Sequence, residues 1–347
     1  MLHPARFYDL RGLMASAFRI SASSRRAAPA LGLTALLSLT GCSGSADPAA
    51  APSPSAAPAA SAYPLTLENC GTEVTLEEPP ERVLTIKSTS TEMLLALGLE
   101  DRLIGQAFPD GPIPKELGGA DVPVISDKVP GQEAVLTLEP DFIFAGWESN
   151  FSADGAGDRA TLSGLGVDTY VSPAACKEIG KPDKLRFDDV FDQIAEIGAI
   201  FDVTDAASEL IEEQRTALEN LTPVSDISAL WYSSGSDIPY VGAGSGAPQM
   251  IMDAIGVSNI AAEVDDSWTP FAWESVVDAN PDVIILVVSD WGTAEKKIGM
   301  LQSNPATAKL DAVVNERFVT VPFAATEAGV RNVEAAATIA EQLESLG

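Results

Sequence analysis

The side chains that most often carry enzyme chemistry are scarce in this sequence of 347 residues. Its single histidine is His3, which lies in a segment that we expect to be removed from the mature protein. A chain without histidine has no Ser-His-Asp or Cys-His nucleophile and cannot bind zinc, copper or heme through imidazole. Carboxylates remain, but no Asp/Glu pair stands out as the acid and base of a hydrolase. We therefore predict no catalytic residue, no metal site and no cofactor.

The charge balance narrows the choice of partners. The chain has 50 acidic and 21 basic residues, a formal charge of −29, which argues strongly against a nucleic-acid ligand. Because basic side chains are few, an anionic ligand would depend on the few that lie near its site. The candidates are Lys87, Lys128 and Arg331, which lie in predicted loops. A second basic cluster, from Lys177 to Arg186, is predicted to be a solvated loop.

Tryptophans and a glycine-rich loop are further candidates for ligand recognition. The five tryptophans are Trp147, Trp231, Trp268, Trp273 and Trp291. A single tryptophan is more often a core residue than a ligand platform, but several on one rim would favour a flat aromatic ligand. The segment Gly242–Gly246 precedes a predicted helix, so its amides could hold an anion, with a plain flexible turn as the alternative.

The first 41 residues are predicted to be a lipoprotein signal peptide, with translation starting at Met1 or Met14. Three arginines precede an apolar stretch, Ala27–Leu39, that is too short to span a bilayer. The next residues lead to Leu39-Thr40-Gly41-Cys42, which resembles a lipobox, where Cys42 would receive a diacylglycerol. An ordinary signal peptide with an incidental cysteine is the alternative.

Residues 42–63 are predicted to be a flexible tether, because they are almost entirely Ala, Ser, Pro and Gly. Cleavage before Cys42 would leave 16 basic and 49 acidic residues, a charge of −33. We therefore expect an acidic domain that is lipid-anchored at the extracytoplasmic face of the cell membrane.

Cys70 and Cys176 are the cysteines that remain. Outside the cell an isolated pair is more often a disulfide than two free thiols. The bridge would close a loop of about 105 residues and stabilise the first domain by about 2–4 kcal/mol. We predict that the bridge forms.

A duplicated segment indicates how the folded part is organised. Residues 133–144 and 274–285 share Glu, Val, Pro, Asp and Ile at an offset of 141. Each copy is typical of a short helix that ends before a proline and is followed by a buried strand. Alternating strands and helices predict parallel sheets that are covered on both faces.

A second strand and helix pair lies upstream of each copy. Its strands are Arg82–Ile86 and Tyr240–Val241, and each following helix ends at a glycine, Gly98 or Gly256, that suits a left-handed closing residue. Thr89 with Glu92 fits a capping box at the start of the first of these helices.

The segment 186–221 is helical by its apolar pattern and ends before Pro223. We predict an N-terminal α/β lobe over residues 64–202, a connecting helix over 203–222 and a C-terminal α/β lobe over 223–347. A helix of about 18 residues is roughly 27 Å long, which is enough to join two lobes.

This topology would bring the candidate side chains to one cleft, because open α/β sheets bind ligands beyond the carboxyl ends of their strands. A single connecting helix would permit only modest closure, so the cleft should be largely preformed. The candidate ligand-binding residues are Lys87, Ser88, Lys128, Trp147, Glu148, Trp231, Tyr232, Gly244, Ser245, Trp268, Trp291 and Arg331.

Together these features resemble the periplasmic-binding proteins of ferric-siderophore and cobalamin ABC importers. The resemblance covers residues 64–347 and includes the duplicated Glu…Pro-Asp segment. It implies the class III substrate-binding fold, in which two doubly wound α/β lobes are joined by one long helix. In that family the glutamates at the positions of Glu133 and Glu274 dock onto arginines of the membrane permease, one on each lobe. Ordinary solvated carboxylates are the alternative.

Four short segments are similar to an actinobacterial subgroup of this family: 68–71, 146–155, 172–177 and 231–235. That subgroup is proposed to carry a deazaflavin coenzyme precursor, coenzyme F-420 before its glutamate tail is added. The resemblance therefore implies an anionic, planar aromatic ligand. A ferric siderophore or cobalamin is the alternative within the family.

We therefore predict a monomeric, non-enzymatic lipoprotein that captures a small molecule for an ABC permease. A secreted carboxylate-based hydrolase is the remaining enzyme alternative, but the duplicated segment would then have no purpose.

Overall fold

The computed structural model describes residues 63–347. The signal peptide, Cys42 and nearly all of the tether lie outside the described residues, so cleavage and lipid attachment stay predictions. Within the described range, no helix is both long enough and apolar enough to cross a membrane.

The N-terminal lobe begins with an antiparallel hairpin, β1 (Leu65–Asn69) and β2 (Thr72–Leu76). Its turn is Cys70-Gly71, and both residues have positive φ values, 50° and 72°, as tight hairpin turns require. This hairpin was not predicted.

A five-stranded parallel sheet follows, as predicted. Its strands are β3 (Val83–Ile86), β4 (Leu103–Ala107), β5 (Val124–Ser126), β6 (Phe142–Ala145) and β7 (Asp168–Val171). They lie in the order β5-β4-β3-β6-β7, so the winding direction reverses between β3 and β6. Every residue of these two central strands is buried, as expected for strands covered on both faces. The helices of this lobe are α1 (Ser88–Ala96), α2 (Gln132–Thr137) and α3 (Arg159–Gly164).

Two helices occupy the segment 186–221: α4 (Phe187–Ile200) and α5 (Thr204–Glu219). The break between them includes Asp202, whose φ is 55°. The predicted connecting helix, 203–222, corresponds to α5. Near its middle, Gln214 donates a hydrogen bond of 2.8 Å to the carbonyl of Val330 in the second lobe.

The C-terminal lobe contains six strands and five α-helices within the described range. The strands are β8 (Ile227–Ser234), β9 (Tyr240–Gly242), β10 (Val257–Asn259), β11 (Trp268–Pro270), β12 (Val283–Val288) and β13 (Phe318–Pro322). The helices are α6 (Ala247–Ile255), α7 (Trp273–Ala279), α8 (Ala294–Ser303), α9 (Asp311–Val314) and α10 (Asn332–Leu346).

The sheet of this lobe is mixed, which corrects the prediction of two parallel sheets. Its order is β11-β9-β8-β12-β13, with β10 also paired to β8. Strands β8, β12 and β13 are parallel, but β9 runs antiparallel to β8 and β11 antiparallel to β9. The chain reverses directly after β8 at Gly235, whose φ is 87°. The structural counterpart of β3 is therefore β8, and not the Tyr240 strand that the sequence pattern had suggested.

The duplicated segment forms a helix followed by a central strand in both lobes, α2 with β6 and α7 with β12, as predicted. Its aspartates have a structural role. Asp141 accepts hydrogen bonds from the amides of Glu81 and Arg82 at the start of β3. Asp282 accepts equivalent bonds from the amide and hydroxyl of Ser228 at the start of β8. Each aspartate therefore ties its strand to the neighbouring central strand.

Several local predictions hold in the structure. Gly98 and Gly256 have φ values of 74° and 75° at the ends of α1 and α6. Cys70 and Cys176 form the predicted disulfide, with a Cα–Cα distance of 5.2 Å. The bridge ties the hairpin to the segment that follows β7.

Candidate functional site

The carboxyl ends of the central strands of both sheets meet at the cleft between the lobes. On the N-terminal side, β3 ends before Lys87 and β6 ends before Gly146-Trp147, where the winding direction reverses. On the C-terminal side, β8 ends at Ser234 and β13 leads into Phe323. Ligands of open α/β sheets bind at such a reversal.

Two adjoining cavities open at this cleft. The aromatic cavity, of about 410 Å³, is lined by Trp147, Tyr240, Trp268, Trp291, Phe323 and Glu327, with Ser233 and Ser234. The polar cavity, of about 250 Å³, has Ser172, Lys177, Lys181, Ser245 and Ser267 on its walls. Trp147, Trp268 and Glu327 line both cavities, so the two form one continuous site.

The wall of the aromatic cavity is a row of stacked rings. Trp268 lies between Tyr240 and Phe323, with centroid distances of 6.3 Å to each and interplanar angles of 12° and 9°. Trp291, which is 53% exposed, meets Phe323 edge-on at 5.4 Å. Parallel rings offer a flat face against which a conjugated ligand can bury a large area.

Glu327 joins the two lobes at the centre of the site. Its Oε2 accepts a hydrogen bond of 3.0 Å from the indole Nε1 of Trp147. Burial raises the pKa of Glu327 to about 7, although the Trp147 hydrogen bond and the nearby Lys87 oppose this shift. A carboxyl with such a pKa is protonated in part at neutral pH, so it can donate as well as accept a hydrogen bond.

Lys87 lies below the aromatic rings, but its charge is already compensated. Its side chain is 2% exposed and forms an ion pair with Asp110. The ammonium also lies 4.1 Å from the ring centroid of Trp147 and 4.3 Å from that of Phe108, which adds cation–π attraction. The backbone of Lys87 has φ 84° and ψ 147°, a conformation that costs a non-glycine residue about 1–3 kcal/mol. Such strain, held by a buried ion pair, is typical of a functional site.

A second contact between the lobes pairs Arg331 with Glu92. The guanidinium lies 3.4 Å from Oε1 of Glu92, and their side chains are 14% and 2% exposed. Glu334 lies 3.5 Å from the same guanidinium. The predicted capping box is therefore wrong: α1 begins after Lys87 without a side-chain cap, and Glu92 turns to the other lobe because Arg331 satisfies its buried charge.

Burial raises the pKa of Glu92 to about 7, with Arg331 opposing the shift. A glutamate in an unfolded chain has a pKa of about 4.3. Because the folded form binds the proton more tightly, the stabilisation from this group is complete below about pH 4 and is lost as the pH rises through about 7. We expect the unfolding free energy of wild type, relative to Glu92→Gln, to fall by on the order of 3 kcal/mol across that window.

Urea denaturation of both proteins at a series of pH values measures this difference. Glu334→Gln serves as the control, because Glu334 meets the same Arg331 but its side chain is 65% exposed. A difference between wild type and Glu92→Gln that does not vary with pH would contradict the expectation.

The predicted aromatic residues fall into two groups: some line the site and others are buried in the core. Trp147, Trp268 and Trp291 line the site. Trp231 is fully buried in the hydrophobic core, and the Tyr232 ring is buried as well, with its hydroxyl donating to the carbonyl of Gly235. Neither lines the two cavities, because consecutive residues of β8 point to opposite faces of a sheet that is covered on both sides.

Three amides of the glycine-rich loop already have hydrogen-bond partners within the protein, so these three do not hold an anion. The amides of Ala243, Gly244 and Ser245 donate to the carbonyls of Ser267, Val264 and Asp266, at 2.9–3.0 Å. An added Cβ at Gly244 would lie 2.0 Å from the Ala262 carbonyl oxygen, so glycine serves a close approach of two chain segments. Ser245 lines the polar cavity.

The remaining predicted residues are spread over the N-terminal lobe. Ser88 is buried, and its hydroxyl accepts a hydrogen bond of 2.8 Å from the amide of Asp110. Glu148 accepts a hydrogen bond of 2.5 Å from the amide of Lys177. Lys128 is exposed and is not on the wall of either cavity. Whether any of these residues contacts a ligand stays a prediction.

Sequence reasoning missed Asp110, Tyr240, Phe323 and Glu327 as members of the site. A carboxylate or a ring in a loop has no periodic pattern that distinguishes it from its many equivalents in an acidic chain. Phe323 and Glu327 follow β13, so a rule that includes every residue after a predicted strand would have found them.

The two predicted docking residues occupy equivalent places. Glu133 lies in the first turn of α2 and Glu274 in the first turn of α7, and both are exposed. Neither side chain forms an ion pair with another residue of the described range. A docking role stays a prediction.

Two related proteins place this arrangement in context. An uncharacterised ABC transporter substrate-binding lipoprotein of Bacillus subtilis is 24% identical over 321 residues, which are 90% of this chain and 94% of that protein. A cobalamin-binding protein of Halobacterium salinarum is 25% identical over 238 residues, which are 65% of this chain and 59% of that protein.

Solved structures share the two-lobe fold. A periplasmic binding protein from Veillonella parvula has a TM-score of 0.71 and 26% identity, and the match covers 81% of this chain and 97% of that one. An ABC-type Fe³⁺-hydroxamate transport system protein from Saccharomonospora viridis has a TM-score of 0.69 and 24% identity, with 82% and 99% covered. The class III fold inferred from sequence is thereby confirmed. The periplasmic binding protein family matches residues 83–325, and the chain belongs to that family.

Proposed function

We propose that this protein is the extracytoplasmic substrate-binding component of an ABC importer and captures an anionic, planar aromatic ligand between its lobes. The observation that carries the proposal is the parallel stack of Tyr240, Trp268 and Phe323 on the wall of an open cavity. Rings of this kind, in a site that both lobes build, suit a flat conjugated molecule better than a flexible aliphatic one.

The ligand that we propose is the deazaflavin coenzyme precursor. Three of the four segments that resemble the deazaflavin subgroup contribute to the site. Gly146-Trp147, Ser172 with Ala174–Lys177, and Ser233-Ser234 all line its cavities. The fourth segment, 68–71, is bonded to the second of these through the Cys70–Cys176 disulfide. Segments that lie apart in the chain thus converge on one place, which supports a shared role in ligand recognition.

The proposed location is the outer face of the cell membrane. The Bacillus subtilis relative is described as a lipoprotein, which supports lipid attachment at Cys42. Mass spectrometry of the mature protein tests this, because the N-terminal cysteine would carry a diacylglycerol. An unmodified Cys42 in membrane-extracted protein would refute the anchor.

Titration of the mature protein tests the proposed ligand, with intrinsic tryptophan fluorescence as the signal. The panel is the deazaflavin precursor, a ferric hydroxamate, cobalamin and heme. We expect the deazaflavin to quench the fluorescence in a saturable way. The ligand should then be recovered chemically unchanged, because we propose a carrier and not an enzyme. Tight binding of another member of the panel, with none of the deazaflavin, would overturn the ligand but keep the importer role. Failure of all four to bind would count against the cleft as the binding site for these ligand classes.

A further inference from the structure

Charge is distributed unevenly over the cleft. Of the described residues that line the aromatic and polar cavities, only Lys177, Lys181 and Glu327 carry a formal charge. The cavity walls therefore have a positive balance in a protein whose formal charge is −29. Both lysines belong to the polar cavity, whereas Glu327 lies where the two cavities join.

The groove on the far side of Phe323 has the opposite balance. Its walls carry five carboxylates and two basic groups: Asp110, Glu116, Asp290, Glu295, Glu334, Lys115 and Arg331. An anionic group that enters the cleft is repelled from that groove and attracted to the polar cavity, because charges are weakly screened where walls exclude water.

Other basic groups near the cleft are already engaged. Lys87 forms its buried ion pair with Asp110, and Arg331 pairs with Glu92. Lys297 is 7% exposed, and its ammonium donates to the carbonyls of Ser233 and Val287. These three cations have partners within the protein and are less available to a ligand.

Lys177 and Lys181 are the least engaged of the cleft cations. Within residues 63–347 Lys177 forms no ion pair, and the nearest carboxylate to Lys181 is Asp266, at 3.9 Å. At that distance, and with both side chains partly exposed, the pair contributes little. Both ammonium groups can therefore exchange water for an anion without breaking a strong contact.

The segment that carries these lysines is held at both ends. Its start is fixed by the disulfide of Cys176 and by the hydrogen bond of 2.5 Å from the Lys177 amide to Glu148. At its other end, the amide of Leu185 donates to the carbonyl of Ser245 in the second lobe, at 2.8 Å. The segment thus crosses from one lobe to the other over the polar cavity, which reduces the entropy lost when its side chains bind.

We infer that Lys177 and Lys181 form a subsite for the anionic tail of the ligand, a phosphate or carboxylate. This inference rests on the proposed function. It also gives the ligand an orientation: the flat ring lies against Trp268 in the aromatic cavity, and the tail reaches past Glu327 into the polar cavity. The substrate class is a planar heterocycle with an acidic side chain, and Lys87 and Lys128 have no direct part in holding the acid.

The test compares deazariboflavin with deazariboflavin phosphate, which differ only in the terminal anion. Dissociation constants are measured by tryptophan quenching for wild type, for Lys177→Ala/Lys181→Ala and for the control Lys296→Ala/Lys309→Ala. The control removes two positive charges from exposed lysines outside both cavities, so it reports the long-range effect of charge alone.

For wild type and for the control we expect the phosphate to bind about tenfold or more tightly than deazariboflavin, because charge-assisted contacts are strong. In Lys177→Ala/Lys181→Ala this ratio should fall to about one, while the affinity for deazariboflavin stays within about twofold. If the ratio survives in the double variant, the subsite assignment is wrong although the proposed ring site stands. If neither probe binds wild type, both the ring site and the tail subsite are overturned.

Discussion

Replacing Glu133 and Glu274 together with alanine is expected to abolish uptake while ligand affinity stays within about twofold. Both side chains are exposed in the first turn of equivalent helices, one on each lobe. Two carboxylates on separate lobes can fix the orientation of the protein on a permease and can steer the encounter electrostatically. Neither residue lines the ligand cavities, so the cleft should be unaffected.

The duplicated segment itself supports this separation of roles. Its aspartates, Asp141 and Asp282, bind the amides that start the neighbouring central strands, which explains why Asp occurs in both copies. The glutamates have no such partner within the lobe. The recurrence of glutamate at equivalent exposed positions is the reason that we predict an external contact for it.

Transport of radiolabelled ligand into cells or permease-containing vesicles measures uptake, and fluorescence titration measures affinity. Glu73→Ala/Glu341→Ala is the matched control, since it removes two exposed carboxylates, one from each lobe. Normal uptake by the Glu133/Glu274 variant would show that docking uses another surface. A large loss of ligand affinity would instead assign the two glutamates to binding.

Replacing Trp268 with alanine is expected to weaken ligand binding by roughly thirtyfold. The indole is the central ring of the stack, between Tyr240 and Phe323, and it lines both cavities. Its removal takes away the flat face and the apolar area that a conjugated ligand would bury, a loss of about 2 kcal/mol.

Two further variants distinguish a loss of ring stacking from a loss of folding stability. Trp268→Phe keeps a flat ring and should recover most of the affinity. Trp273→Phe is the control: Trp273 is buried away from both cavities, and its indole donates to the carbonyl of Ser236, so its replacement should lower stability and leave affinity unchanged. Equal affinity for wild type and Trp268→Ala would remove the ring stack from the binding site.

Local patterns in the sequence determined the features that depend on neighbouring residues. The apolar runs Phe142–Ala145 and Val283–Val288 are central strands because unbroken apolar character suits burial on both faces. Gly256 closes a helix because glycine adopts positive φ without strain. The pairing of Cys70 with Cys176 was predicted because Cys42, the third cysteine of the sequence, is the predicted lipidation site.

The tertiary structure alone decided which side chains form the site. Trp147 meets Glu327 across 180 residues, and Glu92 meets Arg331 across 239. Lys87 was a sequence-based candidate for binding an anion, but the fold places Asp110 beside it. The amides of residues 243–245 donate to carbonyls of the segment 264–267. Periodicity reports which face of an element is buried, but it does not report which distant element packs there. Ion pairs, stacked rings and shifted pKa values arise from that packing, so the chemistry of the cleft was decided by how the two lobes meet.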